Sequence, residues 1–151
     1  MSTTPSQSVR VLYTAEATAT GGRRGHGRTS DGRVDVDFSS PKEMGGDGGP
    51  GTNPEQLFAT GFAACIQNAM MSIARRKSIS GVDDSIVTAR VGIGPIDNRF
   101  GLTAELDVRL PSIHDRALAE ELVAGADKRC PYTNAVRGNI DVAIKILEPP
   151  A

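Results

Sequence analysis

The sequence predicts an α+β protein, and three observations carry that class. Two stretches of apolar–polar alternation, Ser85 to Ile93 and Leu102 to Leu110, flank a Gly94-Pro95-Ile96-Asp97-Asn98 turn and read as a β-hairpin. A long stretch from Pro54 to Lys77 is apolar around almost its whole helical circumference, which marks a buried helix. The periodic segments follow in the order β-β-α-β-β-α-β. That order segregates strand pairs from helices instead of alternating them as a doubly wound sheet does.

Taken along the chain, residues 1–8 read as a flexible polar tail to a single domain covering residues 1–151. Val9 to Tyr13 and the Ala/Thr alternation up to Thr20 read as the first strand. Gly21-Gly22-Arg23-Arg24-Gly25-His26-Gly27-Arg28 breaks it and reads as a loop. Asp31-Gly32 is a hairpin-turn signal, and Val34 to Phe38 alternates as a half-buried strand. Gly45 to Pro54 is glycine- and proline-rich and reads as a loop leading into the long helix. Thr52 or Asn53 suits the cap of that helix, Pro54 its first turn, and Glu55 its positive dipole end. Arg75, Arg76 and Lys77 suit the opposite end. After the hairpin, Pro111-Ser112 opens a second helix over Ile113 to about Lys128, with Ser112 and Asp115 at capping-box spacing. Cys130-Pro131 ends it, and Gly138 precedes a last strand over Asn139 to Leu147.

Composition limits the function classes. The chain has 151 residues, enough to bury a core without a metal or disulfide staple. Its 17 basic and 18 acidic residues leave a net charge of −1, so neither a nucleic acid nor an anionic membrane surface is an expected partner. No signal peptide and no stretch approaching a membrane-spanning length stands out, which points to the cytoplasm. Two Cys and two His in these positions make no zinc motif, and no bound metal is expected.

Several local patterns compete for a functional reading. Gly46-Asp47-Gly48-Gly49-Pro50-Gly51 has the letters of a dinucleotide fingerprint, but Pro50 removes a donor and Asp47 repels a pyrophosphate. The Gly/Arg stretch at 21–28 lacks the aromatics of an RNA tract; it is either a solvated turn or a loop that offers a guanidinium to an anion. His26 and His114 sit in no hydrolase motif and read as surface residues. Cys65 lies mid-helix, where a small inert thiol is the ordinary outcome. Cys130 lies at a helix end, where it has more freedom to move, and the two together suit an attacking and a resolving thiol. Glu55 stands ten residues before Cys65, roughly 15 Å along a helix. It is too far to act as a base, but suits holding an arginine that reaches the thiol region.

Several separated words, in order, resemble the organic hydroperoxide resistance (Ohr) proteins of the Ohr/OsmC family. They are Thr20-Gly21-Gly22-Arg23, Glu43-Met44-Gly45-Gly46, Thr52-Asn53-Pro54-Glu55-Gln56-Leu57-Phe58-Ala59, Ala64-Cys65, and Cys130-Pro131-Tyr132-Thr133-Asn134 with Arg137-Gly138-Asn139. The resemblance runs from about Val11 to Ile146. It implies an OsmC-like fold, with antiparallel sheets around a buried central helix in an intertwined homodimer. It implies a cysteine peroxidase acting on organic hydroperoxides, with Cys65 as the peroxidatic thiol and Cys130 as the resolving one. Arg23 takes the place of the family's active-site arginine and Glu55 that of the glutamate orienting it. Arg24 departs from the family pattern, which more often has an acidic or small residue there, and spacing to Gly21-Gly22 favours Arg23. No cofactor is expected to be bound; the implied reductant is an external lipoyl dithiol, on a lipoylated protein or as dihydrolipoamide. Phe62, Ile66 and Met70 are expected to shape an apolar substrate pocket. The alternatives are an OsmC-type peroxidase of broader range and a non-enzymatic thiol redox-sensing or binding module.

Overall fold

The computed structural model describes residues 8–148, which fall into two compact units, one up to Asn53 and one from Pro54 onward. Of the tail expected over residues 1–8, all but Ser8 lies outside the described residues, and Ser8 is exposed.

The first unit is a three-stranded antiparallel sheet of β1 (Ala17–Thr20), β2 (His26–Thr29) and β3 (Asp35–Asp37), in that order. The strand expected over Val9 to Thr20 is confined to its last four residues. Val9, Val11, Leu12 and Tyr13 pair with no strand among the described residues and stay 67–84% exposed. The loop expected over residues 21–28 is shorter than its composition suggested, because His26-Gly27-Arg28-Thr29 is a strand. The reversal occupies Gly21 to Gly25, around a short 3₁₀ turn at Gly22–Arg24 that carries Arg23. Glycine is required there: Gly21 has φ 75°, and a Cβ on Gly25 would lie 1.7 Å from the Thr20 carbonyl oxygen. Gly27 concealed the strand, because a residue without a side chain breaks the alternation. It is buried beneath the Phe38 ring, which would stand 2.8 Å from any Cβ there.

The Asp31-Gly32 turn forms as expected. Asp31 Oδ1 accepts from the Thr29 hydroxyl and the Arg33 N–H, and the latter bond leads in holding its carboxyl below the usual range. The glycine-rich loop after β3 consumes its own donors. The N–H groups of Gly46, Gly48, Gly49 and Gly51 bond to Pro41 O, Ser40 O, Asp47 Oδ1 and Ser39 Oγ, so they form no cradle for a phosphate.

The second unit begins with α1 (Pro54–Arg76), followed by β4 (Ile86–Ile96), β5 (Arg99–Arg109), α2 (Arg116–Arg129), α3 (Pro131–Val136) and β6 (Val142–Leu147). The strand order is β4-β5-β6. β4 and β5 are the expected antiparallel hairpin, but the turn narrows to Asp97-Asn98, with Ile96 opposite Arg99. β6 lies parallel to β5, as a strand returning after a helical crossover can, so this sheet is mixed. α2 starts three residues later than expected. Asp115 is itself the cap, accepting from the Ala117 and Leu118 N–H groups, while Ser112 Oγ donates to Asp84. Pro131 does not end the helical region; it opens the unforeseen α3 from its first position, where a missing N–H costs nothing.

α1 packs against β4, α2 and α3. By length and composition alone it is sufficient to cross a membrane, a feature that its polar Gln67 and Asn68 and its many small residues obscured in the sequence. Its buried residues, Phe62, Ile66, Ala69, Met70 and Ala74, fall along one face. Leu106 and Val108 of β5 and Leu122 and Ala126 of α2 complete the core around it. The helix is therefore buried on one face, not all round: Leu57 is 39% exposed and Ala64 is also exposed. Gln67 Nε2 donates to Ser85 O at 2.8 Å, tying mid-helix to the residue before β4.

His26 has a partner set that its sequence context did not announce. Nδ1 lies 2.7 Å from Asp37 Oδ1 and Nε2 2.5 Å from Asp35 Oδ1, and Arg28 Nε is 3.6 Å from Asp35 Oδ2. Ionised carboxylates only accept, so both ring nitrogens donate and the ring is the imidazolium. The bonds to Asp37 and then Asp35 raise the His26 pKa above its ordinary value. Stabilisation by this contact is fully present below the unfolded value near ~6.5 and is lost as pH rises through the raised folded value. Thermal unfolding from about pH 5 to about pH 8 should show wild type more stable than His26→Gln at the acid end, with the difference shrinking toward the alkaline end. A difference independent of pH would contradict the charged pairing.

A candidate thiol site

Phe58 and Phe62, and Gly61 and Cys65, stand four residues apart on α1 and share one side of it. Opposite that face stands the joint between α2 and α3, where Cys130 is both the last cap of one helix and the first cap of the next. The Cys130 N–H bonds to Ala126 O, and its carbonyl accepts from the Asn134 N–H. Those two bonds fix the residue at the joint.

Both cysteines are free thiols; Cys65 is half-buried and Cys130 fully buried. The structure brings them together: Cys130 neighbours Cys65 closely enough to act on its thiol. Burial pushes the Cys65 pKa up. The Tyr132 main-chain N–H approaches the sulfur and pulls the other way, while Cys130 adds to the upward push. Within this unit the local surroundings thus favour the neutral thiol.

An aromatic group stands beside the pair. The Phe58 and Phe62 rings lie 5.7 Å apart, and Tyr132 is 5.8 Å from each. Phe62, Ile66 and Met70, expected to shape a substrate pocket, are instead core residues at 0%, 1% and 0% exposure. Their positions on the buried stripe of α1 put them in the core. Phe58 and Tyr132, which the sequence reading passed over, are the partly exposed apolar groups at the site. The signal for Phe58 was its place two turns before Cys65 on the same helical face. An open groove of about 670 Å³ lies elsewhere, between α2 and β6, and neither cysteine lines it.

Glu55 sits in the first turn of α1 and is half-buried. Arg23 belongs to the first unit, where it is half-buried in the 3₁₀ turn while Arg24 is exposed.

The family model for OsmC-like proteins matches residues 45–145, a span that includes both thiols and the aromatic group. The chain belongs to the OsmC-like family. Among relatives, it is 47% identical over 137 residues to the organic hydroperoxide resistance protein of Xanthomonas axonopodis pv. citri (strain 306), covering 91% of this chain and 96% of that protein. It is 40% identical over 138 residues to the organic hydroperoxide resistance protein OhrB of Bacillus subtilis (strain 168), covering 90% and 98%. Among solved structures, an organic hydroperoxide resistance protein from Vibrio cholerae, with captopril bound in one of its active sites, matches with a TM-score of 0.87 at 43% identity, covering 94% and 96%. This OsmC-like chain therefore has the predicted α+β fold, with two sheets and one long helix.

Alkylation of the reduced protein by iodoacetamide, with Cys65 followed by peptide mass mapping, tests the thiol contact. Because both effects of Cys130 raise the Cys65 pKa, Cys130→Ala should move the alkylation midpoint to lower pH. An unchanged midpoint would show that the two thiols do not interact, and a midpoint that rises would show that Cys130 favours the thiolate, contrary to the contact described.

Proposed function

We propose that this protein is a cysteine peroxidase that reduces organic hydroperoxides to alcohols. The observation that carries the reading is the meeting of a half-buried thiol with a fully buried one at a helix joint, in a chain whose relatives are organic hydroperoxide resistance proteins. The Cys65 thiolate attacks the distal peroxide oxygen, the O–O bond breaks, and the departing alkoxide takes a proton to leave as the alcohol. Cys65 is left as a sulfenic acid. The Cys130 sulfur then attacks the Cys65 sulfur; the hydroxyl leaves as water and a Cys65–Cys130 disulfide forms. An external lipoyl dithiol, on a lipoylated protein or as dihydrolipoamide, reopens it by exchange and is itself oxidised to the cyclic disulfide.

Arg23 is proposed to supply the cation that this thiol needs, because burial and Cys130 both oppose its ionisation. Glu55 is proposed to orient that guanidinium through a charge-assisted bond. Phe58 and Tyr132 offer an apolar surface suited to an alkyl or aryl peroxide. A homodimer is supported by the exposure of Val9, Val11, Leu12, Tyr13 and Leu57, apolar side chains that a second copy would cover. A cytoplasmic address suits a mechanism that starts from two reduced thiols.

The test is consumption of cumene hydroperoxide with dihydrolipoamide as reductant, beside a thioredoxin-type dithiol. Wild type should turn over with the lipoyl dithiol, and Cys65→Ser should fall to the uncatalysed background. Cys130→Ser should react once and then fail to form the intramolecular disulfide. Arg23→Ala should lose about 10²- to 10³-fold, the scale for removing one preorganised charge-stabilising group. Wild type without turnover would overturn the peroxidase, and Arg24→Ala impaired in place of Arg23→Ala would move the cation by one residue.

A further inference from the structure

Gly61 is a puzzle for a helix. It lies inside α1, where glycine costs roughly 1 kcal/mol relative to alanine. Its backbone has no positive φ that would require glycine. What it has is a neighbour: a Cβ at this position would lie 2.8 Å from Tyr132 Oη, 3.2 Å from Cε2 and 3.3 Å from Cζ. The Tyr132 ring rests on the bare α-carbon one turn before Cys65.

We propose that Gly61 and Tyr132 are positioning residues for the thiol pair: the seat that Gly61 offers the Tyr132 ring sets where the start of α3 stands against Cys65. This rests on Cys65 and Cys130 being the reacting pair.

The need for such a seat follows from the size of α3. It has six residues, too few to hold a helical turn by backbone bonds alone, so side chains must fix it. Its far end is tied to α2 through Asn134 Nδ2, which donates to Lys128 O at 3.1 Å. Arg137 adds a second tie, with Nη2 donating to Asp127 O at 3.0 Å and to Asn134 Oδ1 at 3.1 Å. Its near end is tied to α1 by the Tyr132 ring, held between Phe58, Phe62 and the Gly61 backbone.

Two reactive features ride on that near end. Cys130 directly precedes α3, and its sulfur must meet Cys65 within the narrow geometry of a disulfide. Pro131 has no N–H, so the first main-chain donor that α3 presents is that of Tyr132, and this group approaches Cys65. A displaced Tyr132 ring therefore separates the two sulfurs and withdraws the donor together.

Full-length Gly61→Ala tests this without any peroxide. Diamide oxidation reads the rate of Cys65–Cys130 disulfide formation, and alkylation in a Cys130→Ala background reads the effect of the N–H on Cys65 alone. Gly61→Ala should slow disulfide formation about tenfold or more, the scale on which small misplacements act. In the second background it should move the alkylation midpoint to higher pH. Combined with Tyr132→Ala, which removes the ring that the added methyl group would strike, Gly61→Ala should have little further effect on either readout, because the two residues act through one contact. Thermal unfolding of the reduced variants confirms that they are folded. An unchanged rate and midpoint in Gly61→Ala would overturn the proposal, as would an equal slowing with Tyr132 already truncated. Wild type that forms the disulfide with diamide yet consumes no hydroperoxide refutes the peroxidase reading alone, and the Gly61 comparison still decides this one.

Discussion

The second unit depends on the packing of one face of α1 against β4 and α2, over a core that β5 completes. Phe62, Ile66 and Met70 lie at or near zero exposure in the same core as Leu106, Val108 and Leu122. Apolar burial on this scale, roughly 1.5–3 kcal/mol for each large side chain, fixes the helix in rotation as well as in place. Once that rotation is set, Phe58, Gly61 and Cys65 have no freedom to face elsewhere. The same core holds the end of α2, where Ala126 and Cys130 are fully buried. Two thiols far apart in sequence meet because two helices share a core.

The proposed chemistry carries a cost that this packing creates. A thiol in such surroundings prefers its proton, and Cys130 beside it strengthens the preference. Burial shields the thiol and suits an apolar peroxide, yet it opposes formation of the nucleophile. Only a local positive charge or directed N–H groups can offset that opposition. The Tyr132 N–H is one such group within the unit. The proposed Arg23 guanidinium is the other, and the near-neutral chain makes one well-placed cation count for more than any general charge.

Much of this was legible in the sequence. The bounds of α1 followed from its apolar content, and the β4–β5 hairpin from strict alternation. Where prediction failed, the reasons were local. His26-Gly27-Arg28-Thr29 hid a strand because a glycine under the Phe38 ring reads as a loop residue. Asp115 outcompeted Ser112 for the cap because its carboxylate reaches two free N–H groups while Ser112 is engaged by Asp84. Pro131 looked like a stop and is a start. At the candidate site, the sequence singles out Cys65 and Cys130, which the structure makes neighbours, but not what surrounds them. Phe62, Ile66 and Met70 are apolar enough for a pocket wall, and only packing shows them to be core. Gly61 and Tyr132 matter through a contact between elements that no spacing along the chain reveals.

The central claim is that Cys65 and Cys130 act as one redox unit on an organic hydroperoxide. The most direct measurement treats fully reduced protein with an equimolar amount of cumene hydroperoxide, then quantifies the alcohol and maps the cysteines under non-reducing conditions. The account predicts equal amounts of alcohol and Cys65–Cys130 disulfide, with neither thiol left open to alkylation. Peroxide consumed with both thiols intact, or peroxide left unconsumed, would contradict it.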